Sequence, residues 1–293
     1  MIGASRWSRV AFAVWTALIL LFLFFPIVII MLYAFNPSNV QSWPLSGLST
    51  RWFSSTWHNT EVRQALWLSL RAGLLATGIA MLLGTMAAFA VDRFRFFGRE
   101  AVSLVLVLPI ALPGIITGMA LSSFISFNAL TFSLLTIVIG HATFCIVTVY
   151  NNVLARLRRT QSSLMEASMD LGADGWQTFR FVTLPMIATA LVAGGLLAFA
   201  LSFDEIVVTT FTAGAQNTLP IWIFAHIRNG QQLPQVNVVV LFVILISLIP
   251  VALAQRLTRD TGMLSRPRPA PAGGMSGGGM SGGTAPAGAA TMS

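Results

Sequence analysis

Residues 163–185 read SLMEASMDLGADGWQTFRFVTLP, a patterned polar segment set between two long apolar runs. Ser163 followed by Glu166 has capping-box spacing, so a short helix is expected to start near Ser163. Gly172 suits a left-handed C-terminal cap, and Asp174 followed by Gln177 repeats the start signal. The segment reads as helix, bend, helix, after which Leu184-Pro185 resets the chain before the next apolar run. On the first helix Leu164, Ala167, Ser168 and Leu171 share one face at i, i+3, i+4 and i+7 spacing. Small residues at the centre let another protein's backbone approach closely, with leucines at both ends to fill pockets. A plainer reading lays the same helix on a membrane surface and leaves Glu166 as a cap.

Working outward, 56% of the residues are hydrophobic and 9% are charged, the composition of an integral membrane protein. Crossing about 30 Å of hydrocarbon takes about 20 helical residues. Runs of that length are expected near 11–34, 67–91, 101–124, 130–153, 186–211 and 236–256. Backbone amides find no water in lipid, and the runs lack the alternation of a membrane barrel, so the expected fold is all-α, polytopic, with about six transmembrane helices. The first run follows Arg6 and Arg9 as a secretory signal would. It is too long for one and lacks a small-x-small cleavage site, so it is read as retained.

All 17 basic residues are arginines. Arg6, Arg9, Arg93, Arg95, Arg99, Arg156, Arg158, Arg159, Arg180, Arg256, Arg259, Arg266 and Arg268 fall on one side if both termini share it. Arg51, Arg63, Arg71 and Arg228 fall on or near the other. The positive-inside rule then puts both termini and the 156–185 loop in the cytoplasm. The net charge of +8 reports topology and suits anionic headgroups rather than nucleic acid. Without lysine the chain has neither a phosphate-binding P-loop nor a Schiff-base amine, so ATP-driven work would fall to another subunit. The single Cys145 reads as packing, and His58, His141 and His226 lack metal-pair spacing. No catalytic or metal constellation can be assembled. Trp43, Trp52 and Trp57 in the loop from Phe35 to about Gln64 read as an interfacial anchor, or as a docking surface for an external protein. Residues 1–10 read as a cytoplasmic N-terminus, 11–260 as one membrane domain and 261–293 as a disordered low-complexity tail.

Glu166-Ala167-Ser168, Gly172 and, nine residues later, Val182-Thr183-Leu184-Pro185 resemble the signature loop of permease subunits in ATP-binding-cassette importers. Ser168 stands for the pattern's second alanine and Val182 for its isoleucine. The likeness covers nearly all of residues 10–260, including 84–90 continued through 93–99, and the third-run residues Pro109, Pro113, Gly114 and Gly118. Ser202-Phe203-Asp204-Glu205 with Thr218-Leu219-Pro220 is similar to the spermidine/putrescine branch, while permeases for iron, thiamine and oxyanions share much of the frame. The resemblance implies a type I importer permease in a bacterial inner membrane, with no cofactor of its own. It implies a coupling helix at Glu166, Ala167, Ser168 and Gly172, flanked by Leu164 and Leu171, that docks on an ATPase subunit. It also implies partners: a second permease, two cytoplasmic ATPase subunits carrying ATP and magnesium, and an extracytoplasmic solute-binding protein.

Asp204 and Glu205 form the one adjacent acidic pair, near the outer end of the fifth run and about 27 Å along it from Met186. An intramembrane carboxylate is a pathway candidate. The plainer reading leaves both in headgroup water or paired with Arg71 or Arg228. Neighbours on a helix point about 100° apart, so one of the two, Asp204, is taken to face the path. A polyamine would be drawn to it and would stack on rings such as Phe203, Phe211 or Trp222, whereas an oxyanion would be repelled. Pro109, Pro113 and Gly114 are expected to interrupt the third run as a hinge, and Gly194 and Gly195 to loosen the fifth. An ion-coupled secondary transporter or channel would share the broken helices and the carboxylate, but would have no need of the plug-like loop.

Overall fold

The computed structural model describes residues 6–94, 96–160 and 163–263, with side chains described from 7 to 248. Arg95, Arg266 and Arg268, and from residue 264 on the expected tail, lie outside the described residues. In chain order the helices are α1 (Arg6–Ala34), α2 (Arg51–His58), α3 (Thr60–Arg93), α4 (Arg99–Ala111), α5 (Gly114–Phe127) and α6 (Leu134–Arg158). There follow α7 (Ser163–Asp170), α8 (Gly175–Thr178), α9 (Leu184–Asp204), α10 (Val207–Thr212), α11 (Leu219–Asn229) and α12 (Leu233–Met263). The described residues form no strand.

Four stretches are long and apolar enough to cross a membrane: Trp7–Ala34, Thr60–Arg93, Leu134–Arg158 and Gly175–Asp204. The pair α4 and α5, bent by 104°, adds a fifth if it counts as one span. The run expected near 236–256 falls in α12, whose stretch Leu233–Leu248 is apolar among the residues with described side chains. The bend falls between Leu112 and Pro113. Leu112 is extended, at φ −81° and ψ 143°, because a following proline ring disfavours the helical region. Pro109, expected at the interruption, lies inside α4 instead. Pro113 and Gly114 do mark the break, as the cap and first residue of α5.

The core is the trio α3, α6 and α9, packed through Ala80, Ala88, Cys145, Val149, Tyr150, Ile187 and Ala198. Small residues let these backbones touch, the usual device where lipid removes the hydrophobic drive between helices. A Cβ on Gly84 of α3 would lie 2.8 Å from the Ile146 carbonyl of α6. Gly194 meets Asn152 and Val149, and Gly195 meets Met81. Those two glycines are contact points in an unbroken α9, not the loosening expected of them. Cys145 is buried, with its thiol 3.3 Å from the Ala198 carbonyl. α1 stands outside this trio and reaches the bundle at Ala34, against Val238 and Leu241 of α12.

The fifth expected run also stops early. α9 ends at Asp204, Glu205 is extended at φ −71° and ψ 119°, and α10 restarts at Val207. At its other end Pro185 resets nothing. The chain passes from α8 through a single π turn, Phe179–Thr183, into α9, with the Leu184 amide bonded to the Phe179 carbonyl five residues back. The wide turn seats a residue that has no amide proton to give, so α8 and α9 form one span.

Candidate functional site: a coupling corner and a carboxylate-lined cavity

The first site is the corner at 163–185. Among the described residues helix α7 begins at Ser163, where a start was expected, and residues 161 and 162 ahead of it lie outside the described residues. At its far end Gly172 has φ +88°, a left-handed conformation that glycine adopts without a Cβ penalty. The Ala173 amide bonds to the Ser168 carbonyl at 3.1 Å and the Gly172 amide to the Met169 carbonyl at 2.9 Å. That double closure is a Schellman cap. The next helix starts with a reciprocal box: the Gln177 amide donates to Asp174 Oδ1 at 2.7 Å, and the Asp174 amide donates to Gln177 Oε1 at 3.0 Å.

Three further contacts hold the corner, one within it and two to α3, and the sequence pattern missed all of them. Ser168 Oγ lies 2.9 Å from Thr178 Oγ1, so Ser168 links α7 to α8 and turns away from the face it was expected to share. Arg93 at the end of α3 contacts the Met165 sulfur. Trp176 stacks on Phe179, which meets Phe89 of α3 edge-on at 5.7 Å. The face left open carries Leu164, Ala167 and Leu171, and Leu171 is 89% exposed. The exposed Glu166 carboxylate has no hydrogen-bond partner among the described residues. The corner thus presents an ordered apolar face with leucines at both ends beside a carboxylate that has no partner among the described residues.

The second site is the break at Glu205–Ile206. Phe203 and Asp204 line a cavity of 310 Å³ together with Ile206, Phe224, Ile227, Val240 and Val243, among others, and Asp204 is the one charged group in the lining. Glu205 is elsewhere: its Oε1 accepts the Val208 amide at 2.9 Å and so caps α10. A carboxylate suits the positive end of a helix. The expected pairing with Arg71 or Arg228 is not formed among the described residues, and the Arg71 guanidinium lies over the Trp67 ring at 4.7 Å. Trp222 is not at the cavity. It is 2% exposed in a cluster with Val62, Ala65 and Val239, its indole nitrogen reaches Glu61 Oε2 at 3.4 Å, and its ring lies 4.1 Å from that of His226. Phe211 likewise packs inward, against Gly118. The cavity lining therefore takes in Phe203 and Asp204 but not Glu205 or Trp222, while Phe203 also packs against the cluster that holds Trp222.

The Trp52 indole nitrogen donates to the Asn36 carbonyl at 2.9 Å, holding the loop after α1 together, whereas Trp43 and Trp57 are exposed.

Residues 80–262 match the family described as "Binding-protein-dependent transport system inner membrane component". The putrescine transport system permease protein PotI of Escherichia coli K12 is 37% identical over 238 residues, covering 76% of this chain and 83% of PotI. The spermidine/putrescine transport system permease protein PotC of Haemophilus influenzae is 32% identical over 240 residues, covering 81% of this chain and 92% of PotC. Among solved structures, a bacterial ABC transporter involved in the import of the acidic polysaccharide alginate aligns with a TM-score of 0.65 at 16% identity, over 89% of this chain and 99% of that one. At that identity the likeness speaks for the fold alone.

Proposed function

This chain belongs to the family of binding-protein-dependent transport inner membrane components, a multi-pass membrane protein, and from that premise we propose that it is one permease subunit of an ATP-driven polyamine importer. The observation that carries the reading is the corner at 163–185: a pre-formed bend whose exposed face of Leu164, Ala167 and Leu171, beside a Glu166 carboxylate with no partner among the described residues, suits a second surface. That surface belongs to a cytoplasmic ATPase subunit, which holds the ATP and magnesium. A second permease completes the pathway, a second ATPase grips its corner, and an external binding protein delivers the solute. Both termini lie in the cytoplasm, consistent with the arginines that flank the inner ends of α3, α6 and α9.

ATP binding closes the ATPase pair, draws the two corners together and favours the outward-facing permease; hydrolysis resets it. Each step needs contacts that differ between the two states. The corner is suited to carry that motion, because Phe179, Thr178 and the π turn make α8 continuous with α9. A pull on α7 reaches the span that ends at Asp204.

The relatives' names and the sign of the cavity support a polyamine. In a lining that also holds Phe203 and Phe224, the Asp204 carboxylate attracts an ammonium by charge and the rings by their faces, and the apolar walls suit a methylene chain. The test is uptake of labelled putrescine and spermidine by the complete complex in proteoliposomes. Uptake should require ATP and fall on Asp204→Asn; transport of an unrelated solute in place of both would end the polyamine reading.

A further inference from the structure

His141 is a polar ring sealed inside the bundle, and neither the corner nor the cavity uses it. It is 1% exposed on α6, and both ring nitrogens are matched. Nδ1 lies 2.7 Å from Ser202 Oγ in the last turn of α9, and Nε2 lies 2.7 Å from Thr209 Oγ1 in the first turn of α10. The Thr209 hydroxyl also reaches the Glu205 carbonyl, at 2.6 Å. A hydroxyl has one proton and a carbonyl only accepts, so Thr209 gives its proton to Glu205 and receives one from Nε2. A neutral ring that donates from Nε2 accepts at Nδ1, which makes Ser202 the donor there. The bonds run one way, from Ser202 through His141 and Thr209 to Glu205, and they bridge the break.

α10 has little room to leave this bridge. A Cβ on Gly140, next to His141, would lie 3.1 Å from Val208, and one on Gly118 of α5 would lie 2.6 Å from the Phe211 ring. Thr136 Oγ1 lies 2.8 Å from the Thr212 carbonyl at the end of α10. The short helix is therefore seated in a slot between α5 and α6, with the imidazole on the side that faces α9. Two residues beyond Ser202 stands Asp204, at the rim of the cavity.

We propose that His141 is a positioning residue: through Ser202 and Thr209 it fixes α10 against the end of α9 and so sets where the Asp204 side chain stands in the cavity. The functional half of this rests on Asp204 facing the solute path, so the test reads geometry and transport separately. For geometry, Asp204→Cys is placed in a Cys145→Ala background of the complete complex, and the rate at which the introduced thiol reacts with a hydrophilic maleimide is measured. Adding His141→Phe, which keeps a ring and removes both bonds, should change that rate about fivefold, the scale of one net buried hydrogen bond. His141→Gln, which can accept and donate in the same sense, should restore it.

For transport, His141→Phe with Asp204 intact should lower putrescine uptake about tenfold, since two buried hydroxyls lose their partner, while the amount of assembled complex stays the same; His141→Gln should recover most of the uptake. If His141→Phe does not assemble, Ser202→Ala combined with Thr209→Val should give the same labelling shift. Unchanged labelling of the thiol at position 204 overturns the proposal, as does a loss of uptake that tracks loss of complex and is not rescued by glutamine. Normal uptake by Asp204→Asn would instead remove the pathway reading, and the labelling at position 204 would still decide what His141 does.

Discussion

The corner at 163–185 and the break at 203–212 are both places where a helix stops and restarts, and they are held in opposite ways. The corner is exposed and, beyond its two contacts with α3, closes on itself: the Schellman bonds at Gly172, the Asp174–Gln177 box and the Ser168–Thr178 pair all join residues within ten positions of one another. The break is held, besides its local Glu205 cap, from a distance, by a buried imidazole 61 positions from Ser202 and 68 from Thr209. A locally closed bend keeps its shape while its surroundings change, as a surface that a partner pulls on must. A bend fixed by neighbouring helices moves when they move, which suits a site that must open and close.

The sharpest way to break the comparison is to damage the corner without unfolding it. Gly172→Val strains a left-handed position that has nothing within 4 Å of a new Cβ, so the cost stays in the backbone, at ~1–2 kcal/mol. Glu166→Ala removes an exposed carboxylate that has no hydrogen-bond partner among the described residues. Each should lower ATP-driven uptake by about thirtyfold or more, as expected of a hot spot worth ~2 kcal/mol, with the permease still inserted. Uptake within a factor of about two of wild type would remove the corner from coupling.

Next in size is the break. Asp204→Asn should cost about tenfold in uptake of a cation, the scale of one charge contact of ~1.4 kcal/mol, and leave binding of the ATPase subunit unchanged. A loss of ATPase binding there would show that the two regions are not separable.

Smaller effects sharpen the contrast. Ser168→Ala strands the buried Thr178 hydroxyl and should cost about 1–2 kcal/mol of local stability, read as faster amide exchange across 168–178; adding Thr178→Val should return most of it. Glu205→Ala should cost about 1 kcal/mol as a lost cap, read as faster exchange at Val208, and Glu205→Gln should cost less. Equal exchange in Glu205→Ala and wild type would mean that packing alone holds α10.

The same contrast decides what could be read in advance. Gly172 and the Asp174–Gln177 spacing are local signals, and the bend lies where they put it. Ser168 looked like a plain substitute for alanine, because its bond to Thr178 exists only once the corner is folded. Pro185 was expected to reset the chain, and the π turn ahead of it took up the missing donor instead. In the fifth run nothing local announces a stop after Asp204. Glu205 and Val208 do have cap spacing, but within an apolar run it reads as one more helical turn. A histidine at position 141 of an apolar run, facing hydroxyls from two other helices, was the signal available, and only tertiary structure joins it to Ser202 and Thr209.

The central claim is that the Leu164–Leu171 face is a socket for a motor subunit inside the cell. It is tested most directly by Leu171→Cys in a Cys145→Ala background, labelled with a membrane-impermeant maleimide. The account predicts that the thiol introduced at position 171 reacts in inside-out vesicles stripped of the ATPase, is protected when the ATPase is added back, and is silent in intact cells. Labelling from the outside, or labelling that the ATPase leaves unchanged, would contradict it.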